Sequence, residues 1–184
     1  MLYVFGYGSL ISPKSASVGL NRRIGLKDLQ TATLEGFKRC WNAVERIQFD
    51  GHDAPSNGIF LNLRADSGSE VNGVLLALQK AELEQMKLRE KNYDCSDVTG
   101  QIVEPPAGNV YTFITPPDRS ATPNLRRAWV PASYFNLIRN ALKLYDAQFV
   151  IAFENSTDPL EFGVLEDEYR FLDGKQERYA RGIG

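Results

Sequence analysis

A chain of 184 residues, 43% hydrophobic and 24% charged, is long enough to bury one core and has the make-up of an ordinary folded protein. Its net charge of −2, with Lys and Arg scattered among Asp and Glu, argues against binding nucleic acid through a basic stripe. No apolar run reaches the roughly 18 residues a membrane-spanning helix needs, and no basic, long-apolar leader opens the chain. The two cysteines, Cys40 and Cys95, match no zinc or redox spacing, so a reducing cytoplasm is the expected location.

Leu2 to Phe5 is a short apolar run that reads as a buried strand, broken by Gly6-Tyr7-Gly8-Ser9. Two glycines around a tyrosine after a strand fit either a tight turn or a loop whose backbone N–H groups form an anion-binding concavity. Ser12-Pro13 suits a helix start. Gln30 to Phe49 is rich in β-branched and aromatic residues and predicts two strands, broken or bulged at Gly36. Asp50 to Asn57 is a loop by composition. Ile59, Leu61 and Leu63 alternate as in a strand, Asp66 to Ser69 reads as a hairpin-like turn, and Val71 to Leu78 as a strand covered on both sides.

Lys80 to Lys91 is made of strong helix formers. Ser96 to Glu104 and Val110 to Ile114 predict two further strands. Thr115 to Arg127 holds three prolines without periodicity, and a loop of that length is long enough to cover a site. Pro131 opens the clearest helix, with Tyr134, Leu137, Ile138, Ala141 and Tyr145 on one stripe. A second helical piece spans Asp146 to Asn155. The order predicts an α+β protein with a mixed, mostly antiparallel sheet, as one domain over residues 1–184. Residues 157–184 form an extension expected to be partly disordered.

The absences narrow the chemistry. His52, the only histidine, sits in a polar loop, so a Ser-His-Asp triad or a histidine-based metal site is not expected. Gly6-x-Gly8-x-x-Ile11 lacks the third glycine of a dinucleotide fingerprint, and no P-loop follows. Neither a cofactor nor a metal is expected. Among the carboxylates, Glu90 lies on the face of Leu83 and Met86, at the end of the predicted helix. Burial and the negative end of the helix dipole would both disfavour its ionised form. The alternative is a solvated helix-end glutamate paired with Lys87 or Arg89.

Val4-Phe5-Gly6-Tyr7-Gly8-Ser9-Leu10, Gly73-Val74-Leu75, Arg89-Glu90 and Pro131-Ala132-Ser133-Tyr134 together resemble the γ-glutamylcyclotransferase-like family, the opening loop being most similar to its ChaC branch. The resemblance covers roughly Leu2 to Tyr145. It implies a small β-barrel with flanking helices, no cofactor, and a pocket at the barrel mouth that takes a small γ-glutamyl substrate. It assigns Glu90 as general acid/base and Tyr7, Gly8, Ser9 and Leu10 as the binding loop, with Tyr93 and Tyr134 as pocket-lining residues. The implied reaction is attack of a γ-glutamyl α-amine on its own δ-carbonyl, releasing 5-oxoproline and an amine or amino acid. Glutathione is the donor suggested by the ChaC-like wording. Ser12 departs from that branch, where a tryptophan often stands, which leaves the donor open. The other readings are a non-catalytic binding module of the same fold, or cyclisation of a γ-glutamyl-amine or an acylated metabolite.

Overall fold

The computed structural model describes residues 1–181. The chain runs through β1 (Leu2–Gly6), α1 (Pro13–Leu20), β2 (Leu29–Phe49), β3 (Ser56–Leu78), α2 (Lys80–Arg89) and β4 (Asp94–Asp97). It continues with β5 (Asn109–Ile114), β6 (Ala128–Pro131), α3 (Ala132–Leu142), α4 (Ala147–Asn155), β7 (Gly163–Leu165), β8 (Tyr169–Phe171) and α5 (Gly174–Ala180). Short 3₁₀ turns fill several of the connections.

One eight-stranded sheet holds the fold together, in the order β4-β5-β1-β3-β2-β8, with β6 and β7 branching from β3. Pairing is antiparallel except for β1 with β5, β3 with β6, and β6 with β7. The α+β class, the mostly antiparallel sheet and the flanking helices match the sequence reading. The strand path has two ends, so the ladder does not close on itself as a barrel would. β1 lies between β5 and β3 with Val4 and Phe5 buried, which is why its sequence is continuously apolar.

Two sequence expectations change form in β2 and β3. The stretch read as two strands is one long β2, bulged where Gly36 takes φ +81° and again between Trp41 and Ala43. The expected turn at Asp66 to Ser69 lies within β3, opposite the Gly36 bulge: Glu35 pairs with Glu70, and Phe37 with Ala65. Each bulge bends and twists the ladder locally. The helices follow their caps. Ser12 Oγ accepts the Ser15 N–H at 3.3 Å, and Asp146 Oδ1 accepts that of Phe149 at 2.8 Å. α2 buries Leu83 and Met86.

The C-terminal segment carries short elements of its own. β8 pairs with Ile47 to Phe49 of β2, and Asp173 caps α5 by accepting the N–H groups of Lys175 and Gln176. Of the extension expected to be partly disordered, residues 157–181 carry these elements, while 182–184 lie outside the described residues. The extension's strands are three residues each, too short for a periodicity to read, and the partners of β8 lie more than 100 residues away in sequence. Among the described residues no helix is long and apolar enough to cross a membrane.

Candidate active site

β1 ends at Gly6, and the chain turns through a 3₁₀ helix at Ser9–Ile11. The bottom of this turn forms one wall of a cavity of about 200 Å³. The end of α2, one face of α3 and the C-terminal β8-α5 segment form the other walls. Tyr7, Gly8, Ser9, Leu10, Glu90, Tyr93 and Tyr134, the residues singled out from the sequence, all line it. His52 does not, and pairs instead with Asp167 at 3.0 Å on the surface.

The turn's own hydrogen bonding begins with the Ile11 N–H, which donates to the Gly8 carbonyl at 3.0 Å. The N–H groups of Ser9 and Leu10 lie ahead of that first bond, as the leading donors of any helical turn do. Neither Gly6 nor Gly8 has a positive φ. Both glycines are there for proximity: a Cβ on Gly6 would meet Leu10 Cβ at 2.5 Å, and one on Gly8 would meet the Tyr134 hydroxyl at 3.0 Å. Gly8→Val is therefore expected to drive Tyr134 and the loop apart. A rise in KM for the donor with the fold retained by circular dichroism checks this; unchanged KM refutes it.

Glu90 is the C-cap of α2, and its N–H donates to the Met86 carbonyl at 2.8 Å. Its side chain is 21% exposed and meets Arg89 Nε at 3.1 Å. It thus combines both sequence readings, since it faces the cavity and is ion-paired with Arg89. The turn behind it is held from three sides. The Tyr93 N–H donates to the Glu90 carbonyl at 2.8 Å, Arg119 Nη1 donates to the Asn92 carbonyl at 2.7 Å, and Asn92 Nδ2 donates to Glu45 Oε2 at 2.6 Å.

Three phenols surround these groups. The Tyr7 hydroxyl donates to the Phe113 carbonyl at 2.6 Å; burial pushes its pKa well up, and nearby Tyr134 and Glu90 add to the shift. Burial likewise pushes Tyr93 up, reinforced by Glu45 and Glu90. Tyr134 is raised by burial, opposed by a backbone hydrogen bond from Leu61. All three stay neutral at physiological pH, and the Tyr7 hydroxyl spends its proton on the Phe113 carbonyl.

Two residues that sequence reading passed over shape the site. Arg39 is 0% exposed and, among the described residues, pairs with no carboxylate. Its Nε donates to the Tyr7 carbonyl at 2.8 Å, and Nη1 donates to the Phe153 carbonyl at 3.1 Å and to the Ser156 and Thr157 hydroxyls at 3.0 Å each. Nη2 donates to the Asn72 carbonyl, and the guanidinium lies 3.6 Å over the Phe153 ring. Burial brings its pKa down to about 9, so it remains charged at neutral pH and ties the Tyr7 turn to the end of α4.

The second is Glu45, 4% exposed on the inward face of β2 and also lining the cavity. Burial raises its pKa, against hydrogen bonds from Asn92 and Gln176 that favour the charged form. A carboxyl whose folded pKa is raised holds its proton more tightly in the native state. Its contribution to stability is full below the unfolded value near 4.5 and is lost as pH rises through the folded value. Glu45→Gln should therefore gain melting temperature relative to wild type between pH 4 and pH 8. A difference that stays flat across that range refutes the shift.

The loop from Thr115 to Arg127, long enough to cover the pocket, contributes none of its lining. Ala121 instead donates to the Asn42 carbonyl at 2.7 Å, laying the loop along β2. Tyr169, Phe171, Gln176 and Ala180 of the C-terminal segment take the covering position.

No protein-family profile and no curated protein sequence matches the chain. Solved structures do. One described as gamma-glutamyl cyclotransferase is 15% identical, with 89% of this chain and 93% of that chain covered at a TM-score of 0.56. A human protein described as uncharacterized protein loc79017 is 17% identical over the same shares, at a TM-score of 0.55. The chain has the γ-glutamyl cyclotransferase fold. In this chain the open sheet presents the β1 turn and the end of α2 to one pocket, and both carry residues that the sequence resemblance names.

Proposed function

We propose that this chain is a cofactor-independent γ-glutamyl cyclotransferase. The observation that carries the reading is that one small cavity brings together the Glu90 carboxylate and the leading N–H groups of the Ser9–Ile11 turn, among phenols held neutral.

A bound γ-glutamyl group presents its α-ammonium to Glu90, which takes a proton so that the nitrogen can attack the δ-carbonyl. Nucleophile and electrophile belong to one molecule, so the pocket has only to hold the folded conformer. In this reading the Ser9 and Leu10 N–H groups hold a carboxylate or the developing oxyanion. The C–N bond to the leaving group then breaks. Over the whole reaction the α-nitrogen goes from NH₃⁺ to the lactam NH, and the leaving nitrogen from NH to NH₃⁺. Two protons therefore move from one nitrogen to the other, with Glu90 as the carrier. Glutathione and γ-glutamyl amino acids are the donors to try first, followed by γ-glutamyl-amines and acylated metabolites.

The Arg89–Glu90 pair supports a second reading, in which the pocket binds a ligand without turning it over. Incubating the protein with glutathione, γ-glutamyl dipeptides and γ-glutamyl-amines and measuring 5-oxoproline separates the two. Product from at least one donor is expected; none from any donor leaves the binding module.

A further inference from the structure

The register of the sheet gathers the groups around Glu45 on one face. Ala43 pairs with Phe60, Glu45 with Gly58, Ile47 with Phe171 and Phe49 with Tyr169. Directly paired residues on antiparallel strands point to the same side. A buried carboxylate therefore sits in a row with Ile47 and the rings of Phe49, Phe60, Tyr169 and Phe171, and the position opposite it is a glycine. The rings form one cluster: Phe60 and Phe171 stack at 5.8 Å, Tyr169 meets Phe171 at 5.5 Å and Phe60 at 6.1 Å, and Tyr134 meets Phe60 at 4.8 Å. Glu45, Phe60, Tyr169 and Phe171 all line the same cavity.

The charges around Glu45 are already committed. Arg89 pairs with Glu90, and Lys91, whose charge acts on Glu45, pairs with Asp173. Its remaining neighbours are Glu90, the Tyr93 phenol and the neutral amides of Asn92 and Gln176. An inward carboxylate with no cation of its own is costly to bury. A carboxylate beside aromatic faces is the environment that stabilises an organic ammonium, by ion pairing and by cation–π attraction.

We infer that Glu45, with the ring faces of Phe60, Tyr169 and Phe171, forms a subsite of the cavity that receives an organic ammonium group. This rests on the proposed function for its place in a reaction, but the binding it describes does not depend on turnover. The ammonium has two possible sources. One is the substrate's own α-ammonium, held until Glu90 takes its proton. The other is a second, cationic nitrogen on the leaving amine.

The experiment uses two donors of equal length, γ-glutamyl-n-pentylamide and γ-glutamyl-(5-aminopentyl)amide, with n-pentylammonium and 1-pentanol as binding probes. If the subsite takes a distal ammonium, the aminopentyl donor has the higher kcat/KM by about tenfold, and Glu45→Gln brings the two within about twofold. If it takes the α-ammonium, the donors are equal, and Glu45→Gln raises KM for both by about tenfold. Phe171→Leu, which keeps an apolar side chain on β8, should shift the same parameter in the same direction. Equal donors with KM unmoved in both variants overturn the subsite while leaving the cyclotransferase reading intact. If no donor yields 5-oxoproline, the cyclotransferase reading fails and thermal-shift binding decides the subsite. Stabilisation of wild type but not Glu45→Gln by n-pentylammonium, with 1-pentanol inert, upholds it. Equal responses of the two proteins overturn it.

Discussion

Glu90→Gln is expected to lower the rate of 5-oxoproline release by about 10²–10⁴-fold, the usual contribution of a positioned acid/base group. The amide keeps the shape and the C-cap position but cannot accept the proton that frees the attacking nitrogen. The fold should be almost untouched. Glu90 is 21% exposed, its backbone N–H bond to Met86 is unaffected, and the ion pair lost, the only one it makes among the described residues, is that with Arg89. Such partly exposed pairs contribute roughly 0–1 kcal/mol, so the melting temperature should move by no more than about 4 °C. Steady-state assays beside a thermal melt check both halves. A Glu90→Gln protein that turns over at the wild-type rate removes Glu90 from the mechanism.

Arg39→Met has the opposite profile, a large loss of stability from a residue that does not line the cavity. The methionine fills part of the space but leaves the carbonyls of Tyr7, Asn72 and Phe153 and two hydroxyls without their donor. Leaving buried acceptors without a charged donor costs roughly 1–3 kcal/mol each, about 3–5 kcal/mol in all. For a domain of this size that corresponds to a fall in melting temperature of about 6–20 °C. Arg39→Lys should recover only part of this, because one ammonium cannot reach acceptors spread around a planar fork. A melting temperature within about 2 °C of wild type for Arg39→Met would show that the guanidinium is not the strut between the binding loop and α4.

These two residues differ in how far their positions can be read from the sequence. Glu90 is legible because its position depends on one helix: the spacing from Leu83 and Met86 puts it on the buried face, and the stop after Arg89 puts it at the end. The Gly6-Tyr7-Gly8-Ser9 loop is legible as a site for the same local reason, since it follows directly on a buried strand. What its glycines do is not legible. Neither has a positive φ, and the constraint is close approach, since a Cβ on Gly6 would meet Leu10 Cβ at 2.5 Å and one on Gly8 the Tyr134 hydroxyl at 3.0 Å. Arg39 and Glu45 look like solvated positions in the sequence. Their burial is decided by partners far along the chain, Tyr7 being 32 residues from Arg39, Thr157 118, and Asn92 47 from Glu45.

The sequence by itself determined the α+β class, the apolar central strand, the helices with their caps and the two halves of the candidate site, each resting on contacts within a few residues. Tertiary structure decided the rest. Long-range pairing joined β2 and β3 through their bulges, left the sheet open, laid the Thr115–Arg127 loop along β2, and brought β8 and α5 over the cavity. It also placed Glu45 among the aromatic rings. None of these has a local signature, because a short strand or an inward charge is stable only through the partner that the fold supplies.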